Sequence, residues 1–468
     1  MQTEPVDFIE LGFNNQLWNK QCEIVNSVRD NKYTAVRSCH DIGKSFIAAR
    51  LVLWFIYAFP DSKVISTAPT FKQVQDILWR EIREAKNKAS IPLSGTINQT
   101  ELDISEEHFA IGISTNEADR FQGFHAQYIL LIVDEASGVA QDIFDASEGI
   151  VSSQNARVLY IGNPTSTEGQ FYKSFKTPGF NKISISAFDT PNFTEFGITP
   201  KDIADDTWKV KITHDLPRPY LITPDWVRDK YVRWGPDSPL YFSRVLGEFP
   251  MQTSDMLIPL GMIEAAVNRD IVPVEGDPEQ IGADIARFGS DKTIFITRKG
   301  GKVVDISQHS HNDTMVTAAL LHDYAGFHPY GKLCVDVVGI GAGVVDRLRQ
   351  IESKREVTDV NVGMPAMDTE RFLNLRAEIY WNLRERFVNG DIQIPNDDDL
   401  IAQLSNIKFR YTPKGQVQLE SKEDMKARGL SSPDKADALA LAFGTFGNRP
   451  AIMDFMKEMG EAAKAGMI

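Results

Sequence analysis

Four short apolar runs between residues 32 and 166 decide the fold class of the first half of the chain. They are YTAVRS, KVISTAP, YILLIVDE and RVLYIGNP, and segments with helical periodicity separate them. Each run is apolar on both faces, which is typical of strands in a parallel sheet covered by helices. The apolar stretch from Phe46 to Phe59 is too short to span a bilayer and contains Arg50, so it predicts a buried helix. The sequence therefore predicts an α/β protein with a parallel central sheet.

A second α/β pattern begins near residue 280. The runs QIGADIAR, KTIFITRK and GKVVDISQ predict neighbouring strands with a Gly-Gly turn, and KLCVDV predicts a further strand between two helices near Met315–Tyr324 and Val344–Ile351. The segment IKFRYTPKGQVQLE predicts a β-hairpin, and a helix from Pro433 to Phe446 is expected to close the domain. A mixed sheet is therefore expected in the second half.

Composition shifts predict five regions along the chain. Residues 1–186 form the first core, and residues 187–250 are irregular, aromatic and rich in proline, which predicts a small subdomain or lid packed on that core. The linker is expected at 251–278, which contains Pro259, Pro273 and Pro278. The second domain spans 279–449, and 450–468 is expected to be a flexible tail.

Charge and cysteine usage narrow the class of protein. The formal net charge of -14 argues against a protein that coats nucleic acid by bulk charge, although a local basic groove remains compatible with it. The three cysteines are scattered without zinc spacing, which fits a reducing cytoplasm. The acidic start MQTEPVDFIE lacks an apolar stretch, so no signal peptide is expected.

A phosphate-binding loop is indicated between the first predicted strand and the buried helix. Residues 38–45, SCHDIGKS, match the pattern GxxxxGK[ST] except that Ser38 replaces the first glycine. In such a loop, backbone N–H groups and the helix N-terminus hold phosphates. After the turn at Gly43, Lys44 would reach the β- and γ-phosphates of ATP and Ser45 would ligate Mg²⁺. The alternative is an accidental GKS that follows a strand.

The strand that starts at Tyr128 ends in two carboxylates, Asp134 and Glu135. Downstream of a phosphate-binding loop, this pair predicts a Walker B motif: Asp134 would hold Mg²⁺ through water, and Glu135 would orient and deprotonate the attacking water. A solvated acidic turn is the alternative.

The next strand ends in GNPT, where Asn163 is either a γ-phosphate sensor or part of a simple turn. All these groups are expected at one carboxyl edge of the sheet.

Two further polar residues are candidates for the nucleotide site. Gln21 lies near Trp18, before the first strand, and its amide can form bidentate hydrogen bonds with adenine; a surface glutamine is the alternative. Arg120, within DRFQG, is either an arginine finger that reaches a neighbouring subunit's ATP or a member of a surface ion pair.

Three aspartates in the second half predict a metal site. Asp284 lies in the first strand of that domain, Asp336 ends the strand KLCVDV, and Asp434 begins the last helix. An aspartate inside an apolar strand is costly unless its charge is compensated, and a divalent cation between such carboxylates compensates it. The arrangement predicts two Mg²⁺ or Mn²⁺ ions that activate water and stabilise the leaving 3′ oxygen of a phosphodiester.

Each of these aspartates also has a simpler role available, in a turn or a cap. Asp434 is well placed to cap its helix. Asp437, one helical turn further, is the alternative third ligand, and Asp291 is a candidate accessory ligand. The basic residues of the hairpin and its sequel predict either a grip on a DNA backbone or solvated charges; they are Lys408, Arg410, Lys414, Lys422, Lys426 and Arg428.

The ordered combination of these features resembles a known family. A domain with a deviant phosphate-binding loop, a Val-Asp-Glu sequence and GNPT is joined to a triple-aspartate domain that ends in DKADAL. This order is similar to that of the large terminase subunit of tailed double-stranded DNA bacteriophages, across residues 10–447. The resemblance implies a P-loop ATPase of the additional-strand type joined to an RNase H-like nuclease, with Asp284, Asp336 and Asp434 as its metal ligands.

The resemblance also implies roles for single residues of the ATPase. Gln21 would read adenine, Asn163 would couple hydrolysis to movement, and Arg120 would act in trans on a neighbouring subunit. Many relatives carry an arginine three residues before the glycine of GK[ST]. Here that position is His40, with Arg37 just upstream, so the contact with the γ-phosphate is left open between them.

The function implied by the resemblance is ATP-driven translocation of viral double-stranded DNA into procapsids, with metal-dependent cleavage of concatemeric DNA at the start and end of packaging. The implied partners are the DNA, the portal protein of the procapsid, a small terminase subunit and further copies in a ring, expected to be a pentamer, with a monomer when free. The implied location is the cytoplasm of the infected bacterium and, transiently, the procapsid, with no membrane contact and no place in the mature virion. Two alternatives are a helicase or translocase whose second domain only binds DNA, and a structural ring component that merely binds nucleotide.

Overall fold

The computed structural model describes residues 2–113, 123–250, 255–286, 292–310, 312–329, 331–338, 341–352 and 355–446. Two predicted site residues, Arg120 and Asp291, lie outside these ranges.

Helices and strands alternate through the first part of the chain, as the apolar runs predict. The elements are α1 Pro5–Phe13, α2 Asn19–Asp30, β1 Tyr33–Ser38, α3 Lys44–Ala58, β2 Ser62–Thr67, α4 Phe71–Gln73, α5 Trp79–Asn87, β3 Thr96–Ile97, β4 Glu101–Ser105, β5 His108–Gly112, β6 Tyr128–Asp134, α6 Gln141–Ser147, β7 Ala156–Gly162, α7 Gly169–Ser174, β8 Phe180–Ile185, α8 Pro191–Thr194, α9 Pro200–Ala204, α10 Pro224–Trp234, α11 Pro239–Tyr241 and α12 Leu260–Val267. A π-helical turn, Phe242–Leu246, continues α11.

The second part of the chain continues the α/β alternation. Its elements are β9 Glu279–Asp284, β10 Thr293–Lys299, β11 Lys302–His309, α13 Thr314–Gly326, β12 Lys332–Asp336, α14 Gly341–Ile351, β13 Val357–Val360, α15 Leu375–Asn389, α16 Asp398–Asn406, β14 Phe409–Tyr411, β15 Val417–Leu419, α17 Lys422–Ala427 and α18 Asp434–Phe443.

The described chain forms two compact units that exchange segments along the sequence. The first unit holds the residues up to Asp270 together with Gln393–Lys408 and Glu420–Ser432. The second unit holds Ile271–Ile392, Phe409–Leu419 and the described residues from Pro433 onward. These limits differ from the predicted boundaries: α12 lies within the predicted linker 251–278, and α16 and α17 belong to the first unit although they lie in the second half of the sequence.

The sheet of the first unit has the strand order β3-β4-β5-β2-β6-β7-β1-β8. Strands β5, β2, β6, β7, β1 and β8 run parallel, whereas β3 and β4 add an antiparallel edge. The four predicted strands are the four adjacent strands β2, β6, β7 and β1, so the prediction of a parallel sheet is confirmed. The antiparallel edge was not predicted, because β4 and β5 are only partly buried and lack a continuous apolar run.

Helix α3 is buried along most of its length, as its sequence predicts. It follows β1 after a short loop and begins after Gly43, whose φ of 81° is in the left-handed region. No helix in the described ranges is both long and apolar enough to cross a membrane.

The second unit contains a five-stranded sheet in the order β11-β10-β9-β12-β13. Strand β10 is antiparallel to β9 and β11, and β12 is parallel to β9 and β13. Helices α13 and α14 pack on the face that carries Ile281 and Ala283, and α18 packs on the opposite face of β9. The predicted mixed sheet is confirmed, while β13 and α15 were not predicted.

Candidate nucleotide and metal sites

The turn at Gly43 delivers two side chains of α3 to the edge of the first sheet. Lys44 and Ser45 are the first residues of that helix. A Cβ at residue 43 would meet Gln21 Nε2 at 2.8 Å, so the turn needs glycine both for its φ and for space. The N-terminus of α3, whose first N–H groups have no partner within the helix, is suited to binding anionic phosphates.

The acidic pair at the end of β6 lies beside these two side chains. Ser45 Oγ donates to Asp134 Oδ2 at 3.2 Å, and Lys44 Nζ lies 3.6 Å from Glu135 Oε1. Glu135 has a φ of 46°, a left-handed conformation that is rare for a residue with a side chain. Backbone strain of this kind is frequent at functional sites.

Asn163, at the end of β7, joins the loop to the acidic pair. Its Oδ1 accepts a hydrogen bond from Lys44 Nζ at 3.1 Å, and its Nδ2 donates to the Ser38 carbonyl at 2.7 Å. Its backbone N–H donates to Glu135 Oε2 at 3.4 Å. Parallel register explains the meeting, because Asp134 on β6 is paired with Ile161 on β7. Asn163 is thus more than a turn residue.

The buried position of Asp134 makes its negative charge costly. Burial and, to a smaller extent, the charge of Glu135 raise the pKa of the Asp134 carboxyl to about 7, while Lys44 partly offsets both. The Ser45 hydroxyl and the Asp134 carboxylate lie side by side, and both are oxygen donors of the kind that Mg²⁺ prefers. The buried negative charge of Asp134 would also be compensated by a bound cation. The residues present therefore fit the predicted Mg²⁺ site.

The remaining candidates of the first unit surround this centre at different places. Gln21 is buried, not on the surface: its Nε2 donates to the Ile42 carbonyl at 3.2 Å, and its Oε1 accepts from Trp18 N at 3.4 Å. Arg37 lies along β1, where it donates to Ser184 Oγ at 2.8 Å and stacks on two phenyl rings. Arg37 therefore contacts β8 and its neighbours.

His40 lies within the loop with its ring 6.3 Å from the ring of Trp226. Burial, together with the charges of Arg244, Lys44 and Lys230, lowers the pKa of His40 well below its usual value. At neutral pH the imidazole is uncharged, so it supplies hydrogen bonding but no positive charge to a phosphate.

The second-unit aspartates lie at one end of the five-stranded sheet. Asp284 and Asp336 are the last residues of the parallel neighbours β9 and β12, whose register pairs Ala283 with Val335. Their backbones are therefore neighbours, about 5 Å apart, and their side chains leave the sheet on the same face.

Helix α18 brings Asp434 and Asp437 to that face. Gln280 Nε2 donates to the Leu441 carbonyl at 2.8 Å, and a Cβ at Gly282 would meet the Ala438 carbonyl at 2.1 Å. Helix and strand thus run in opposite directions. Continuing this register by two strand residues sets Asp284 against the first turn of α18, where both helix aspartates lie.

The carboxylate oxygens accept hydrogen bonds from nearby groups. Asp434 Oδ2 accepts from Lys292 N at 2.7 Å, and Asp336 Oδ1 accepts from Val338 N at 2.9 Å. Among the residues that the structure describes, no three His, Cys, Asp or Glu side chains form a ready-made metal site. The donors have the oxygen chemistry that Mg²⁺ and Mn²⁺ require, and their convergence on a shared ion stays a prediction.

Asp437 differs from Asp434 in its surroundings. Its Oδ1 accepts a hydrogen bond from the Tyr380 hydroxyl at 2.6 Å and lies 3.5 Å from an Arg376 nitrogen. Both partners are on α15, four residues apart, and Tyr380 is fully buried. Asp437 is thus held by side chains and Asp434 by a backbone N–H, and the choice of Asp434 as the third ligand stays a prediction.

Sequence reasoning missed Tyr380, Arg376 and the whole of α15, since no local pattern links this helix to an aspartate about sixty residues away.

The predicted basic groove is divided: Arg410 and Lys414 lie in the second unit, and the other four basic residues lie in the first. Arg428 pairs with both carboxylate oxygens of Glu420, and Lys408 pairs with Asp255 at 3.0 Å. These pairs favour a structural role for Lys408 and Arg428.

The chain is similar in sequence to large terminase subunits of bacteriophages. Residues 40–216 match the family model "Terminase large subunit, T4likevirus-type, N-terminal". A curated relative from Enterobacteria phage P7, described as a probable terminase, large subunit, is 25% identical over 467 residues and covers 90% of this chain and 87% of its own length.

Two solved structures are also similar. The nuclease domain of the large terminase subunit gp2 of bacterial virus Sf6 is 21% identical, with 41% of this chain and 100% of that chain covered and a TM-score of 0.37. The large terminase of a thermophilic bacteriophage is 12% identical, with 92% of this chain and 100% of that chain covered and a TM-score of 0.40. Scores of this size are too low to support an argument about fold. The sequence comparisons nevertheless confirm the predicted resemblance of this chain to the large terminase subunits of bacteriophages.

Proposed function

We propose that this chain hydrolyses ATP to translocate double-stranded DNA into a procapsid and cleaves concatemeric DNA when packaging starts and ends. The observation that carries the proposal is the meeting of Lys44, Glu135 and Asn163 at the carboxyl edge of the first sheet. A lysine after a glycine turn, a carboxylate beside it and a buried asparagine that contacts the lysine through its side chain and the carboxylate through its backbone N–H are parts suited to phosphoryl transfer.

In this proposal the side chains of the first unit act in sequence on ATP. The loop amides and Lys44 bind and orient the β- and γ-phosphates, and Glu135 orients the attacking water and takes its proton. Asn163 contacts both residues, so it senses whether Lys44 is engaged with phosphate or with Glu135. Ser45 and Asp134 would hold Mg²⁺, which when bound neutralises phosphate charge.

The remaining ATPase residues have proposed supporting roles. Gln21 reads adenine, which requires its amide to exchange the contacts with Ile42 and Trp18 for the base. Arg120 acts in trans on the ATP of a neighbouring subunit. Because His40 is uncharged, the positive charge near the γ-phosphate comes from Lys44 and from Arg120 rather than from His40. We place this unit in the additional-strand class of P-loop ATPases.

For the second unit we propose an RNase H-like nuclease. Asp284, Asp336 and Asp434 would hold two Mg²⁺ or Mn²⁺ ions, with Asp291 as an accessory ligand. Such ions, when bound, activate water and stabilise the leaving oxygen of a phosphodiester. The protein's part is to hold the carboxylates at the meeting point of β9, β12 and α18. The mixed five-stranded order, with the two strand aspartates adjacent, supports this assignment.

The proposed partners follow from the family resemblance. The chain would act as a ring, expected to be a pentamer, on the portal of a procapsid in the cytoplasm of the infected bacterium. A small terminase subunit would select the DNA. The free chain is expected to be monomeric.

Single-site variants of the full chain test both activities. Lys44→Ala should lower DNA-stimulated ATP hydrolysis by about a hundredfold or more while metal-dependent DNA cleavage persists. Asp284→Ala should abolish cleavage in Mn²⁺ while ATP hydrolysis persists. Lys72→Ala and Asp323→Ala, at exposed positions of the same two units, are the matched controls.

Each alternative function predicts a different result. Cleavage that survives Asp284→Ala would favour a translocase whose second unit only binds DNA. Nucleotide binding by the unaltered chain without DNA-stimulated ATP hydrolysis would favour a structural ring component that merely binds nucleotide.

A further inference from the structure

The π-helical turn Phe242–Leu246 and Gly247, the residue after it, contact the backbone of the phosphate-binding loop. His40 N donates to the Arg244 carbonyl at 2.9 Å. Gly247 has a φ of 63°, and a Cβ there would come within 2.9 Å of Cys39 N and 2.2 Å of the Ile185 carbonyl. The turn therefore packs backbone against backbone on the loop, with no space for a side chain between them.

The side chain of Arg244 fixes the position of this turn. The guanidinium is buried and donates to Glu264 Oε1 at 2.8 Å and to Asp398 Oδ1. A buried guanidinium without carboxylate partners is strongly unfavourable. The two carboxylates thus fix the position of Arg244, including its carbonyl. Because that carbonyl accepts a hydrogen bond from the His40 N–H, they also fix the position of His40 in the loop.

Asp398 comes from a distant part of the sequence. It lies in the first turn of α16, within the segment 393–408 that belongs to the first unit. Asp397 caps this helix by accepting from Leu400 N at 2.9 Å. At the other end, Asn406 Nδ2 donates to the Trp234 carbonyl at 3.4 Å. The cap orders the first turn of α16 and Asn406 holds the other end against Trp234, so Asp398 is presented to Arg244 in a defined position.

A second connection runs from Asp398 towards the loop. Lys230 Nζ lies 3.8 Å from Asp398 Oδ2 and also over the rings of Trp226 and Trp234, at 5.3 and 5.1 Å. The ring of Trp226 meets the ring of His40 edge to face. Asp398 thus faces two buried cations, and both are connected to His40. The Arg244 carbonyl accepts a hydrogen bond from the His40 N–H, and Lys230 lies over the ring of Trp226, which contacts the His40 ring.

We infer that Asp398 is a positioning residue of the nucleotide site, which holds the phosphate-binding loop through Arg244 so that the first unit binds nucleotide only with α16 in place. The inference rests on the proposed ATP site. It goes beyond that site because it assigns part of it to a segment that lies between elements of the second unit.

Asp398→Asn in the full chain tests the inference, because it removes the charge and keeps the shape. The probe is a fluorescent ADP analogue with Mg²⁺. We expect its affinity to fall about tenfold, with a rise in KM for ATP that is larger than the change in kcat. The matched control is Asp399→Asn, at the next position of the same helix, whose partner Arg233 is 42% exposed. Its affinity should equal that of the unaltered chain.

Hydrogen exchange distinguishes a local effect on the loop from a general loss of stability. In Asp398→Asn, the His40 amide should exchange at least tenfold faster, while amides of β6 keep their protection. Should Asp398→Asn give no folded protein, Asp398→Glu decides by the same two measurements, because it shifts the carboxylate and retains its charge; about a threefold loss of affinity is expected.

Two results would overturn the inference: unchanged affinity and unchanged exchange at His40, or losses that Asp399→Asn shares. The proposed ATP site fails separately. In that case the unaltered chain would not bind the analogue, or Lys44→Ala would bind and hydrolyse nucleotide as well as the unaltered chain does.

Discussion

Lys44 Nζ lies 3.6 Å from Glu135 Oε1 and 3.1 Å from Asn163 Oδ1, so the proposed phosphate ligand and the proposed base contact each other directly. Phosphates that bind Lys44 must compete with Glu135 for the ammonium group. Because Lys44 at the start of α3 pairs with Glu135 at the end of β6, release of Lys44 also frees the Glu135 carboxylate to accept a hydrogen bond from water. Nucleotide binding and activation of the base are therefore linked through one ion pair.

The first prediction follows from this pair. Glu135→Gln should bind ATP more tightly, by about threefold, because the competing charge is gone, while kcat falls by about a hundredfold or more because the base is lost. Equilibrium binding and steady-state hydrolysis measure the two effects. Glu148→Gln, at an exposed position in the same unit, is the control. Weaker binding in Glu135→Gln would contradict the competition.

The second prediction concerns the pH dependence of stability through His40. Its pKa in the folded chain is well below the value of about 6.5 expected in the unfolded chain, so below that pH the unfolded state binds more protons. The stability contributed by neutral His40 is present above pH 6.5 and is lost as the pH falls. Between about pH 7.5 and 5.5, the unaltered chain should lose about 1 kcal/mol more unfolding free energy than His40→Asn. Urea unfolding at the two pH values gives the comparison, and equal losses would count against a buried neutral imidazole.

The third prediction concerns the support of Asp437. Tyr380→Phe removes the hydroxyl that donates to Asp437 Oδ1 at 2.6 Å and should lower stability by about 1–3 kcal/mol, because a buried carboxylate loses a hydrogen bond. The Mn²⁺ concentration needed for half-maximal cleavage should rise as well, because Asp437 shares the first turn of α18 with the proposed ligand Asp434 and is itself the alternative third ligand. Tyr411→Phe, at an exposed tyrosine of the same unit, is the control for both measurements. A metal titration that is unchanged would assign the hydroxyl to folding alone.

The fourth prediction uses the contact between β9 and α18. Gly282→Ala would bring a Cβ within 2.1 Å of the Ala438 carbonyl and 2.4 Å of Ala442 N, so α18 must move away from the strand. Asp434 moves with it, and cleavage should be lost together with about 1–3 kcal/mol of stability. Nucleotide binding in the first unit should remain. Gly326→Ala, where an added Cβ has open space, should leave cleavage intact.

The sequence is informative about elements whose burial is uniform. The strands β1, β2, β6 and β7 carry apolar residues on both faces, and parallel pairing then brings Ser45, Asp134 and Asn163 to one edge. The strands β3 and β4 at the edge and their neighbour β5 were missed because their mixed exposure gives no periodic signal. Asp284 and Asp336 were singled out as candidates for a related reason, since a carboxylate at the end of an apolar strand stands out from its surroundings.

Contacts between residues that are far apart in the sequence gave no such signal. Arg244 and Asp398 are 154 positions apart, and each has an unremarkable local context: an arginine in an aromatic segment and an aspartate in an acidic helix start. The same holds for Tyr380 and Asp437, which belong to separate helices. Only the folded arrangement pairs these residues, so neither periodicity nor motif spacing could predict them.

The exchange of segments between the two units has a consequence for synthesis on the ribosome. The first unit needs α16 and α17, so its fold cannot be completed until the chain has been translated past Ser432. Arg244 lacks Asp398 until α16 has been made, and before that point the nascent loop lacks this support. An emerging chain would therefore stay unable to carry out the proposed ATP hydrolysis until most of the second unit has been made, which ties the appearance of the first proposed activity to that of the second.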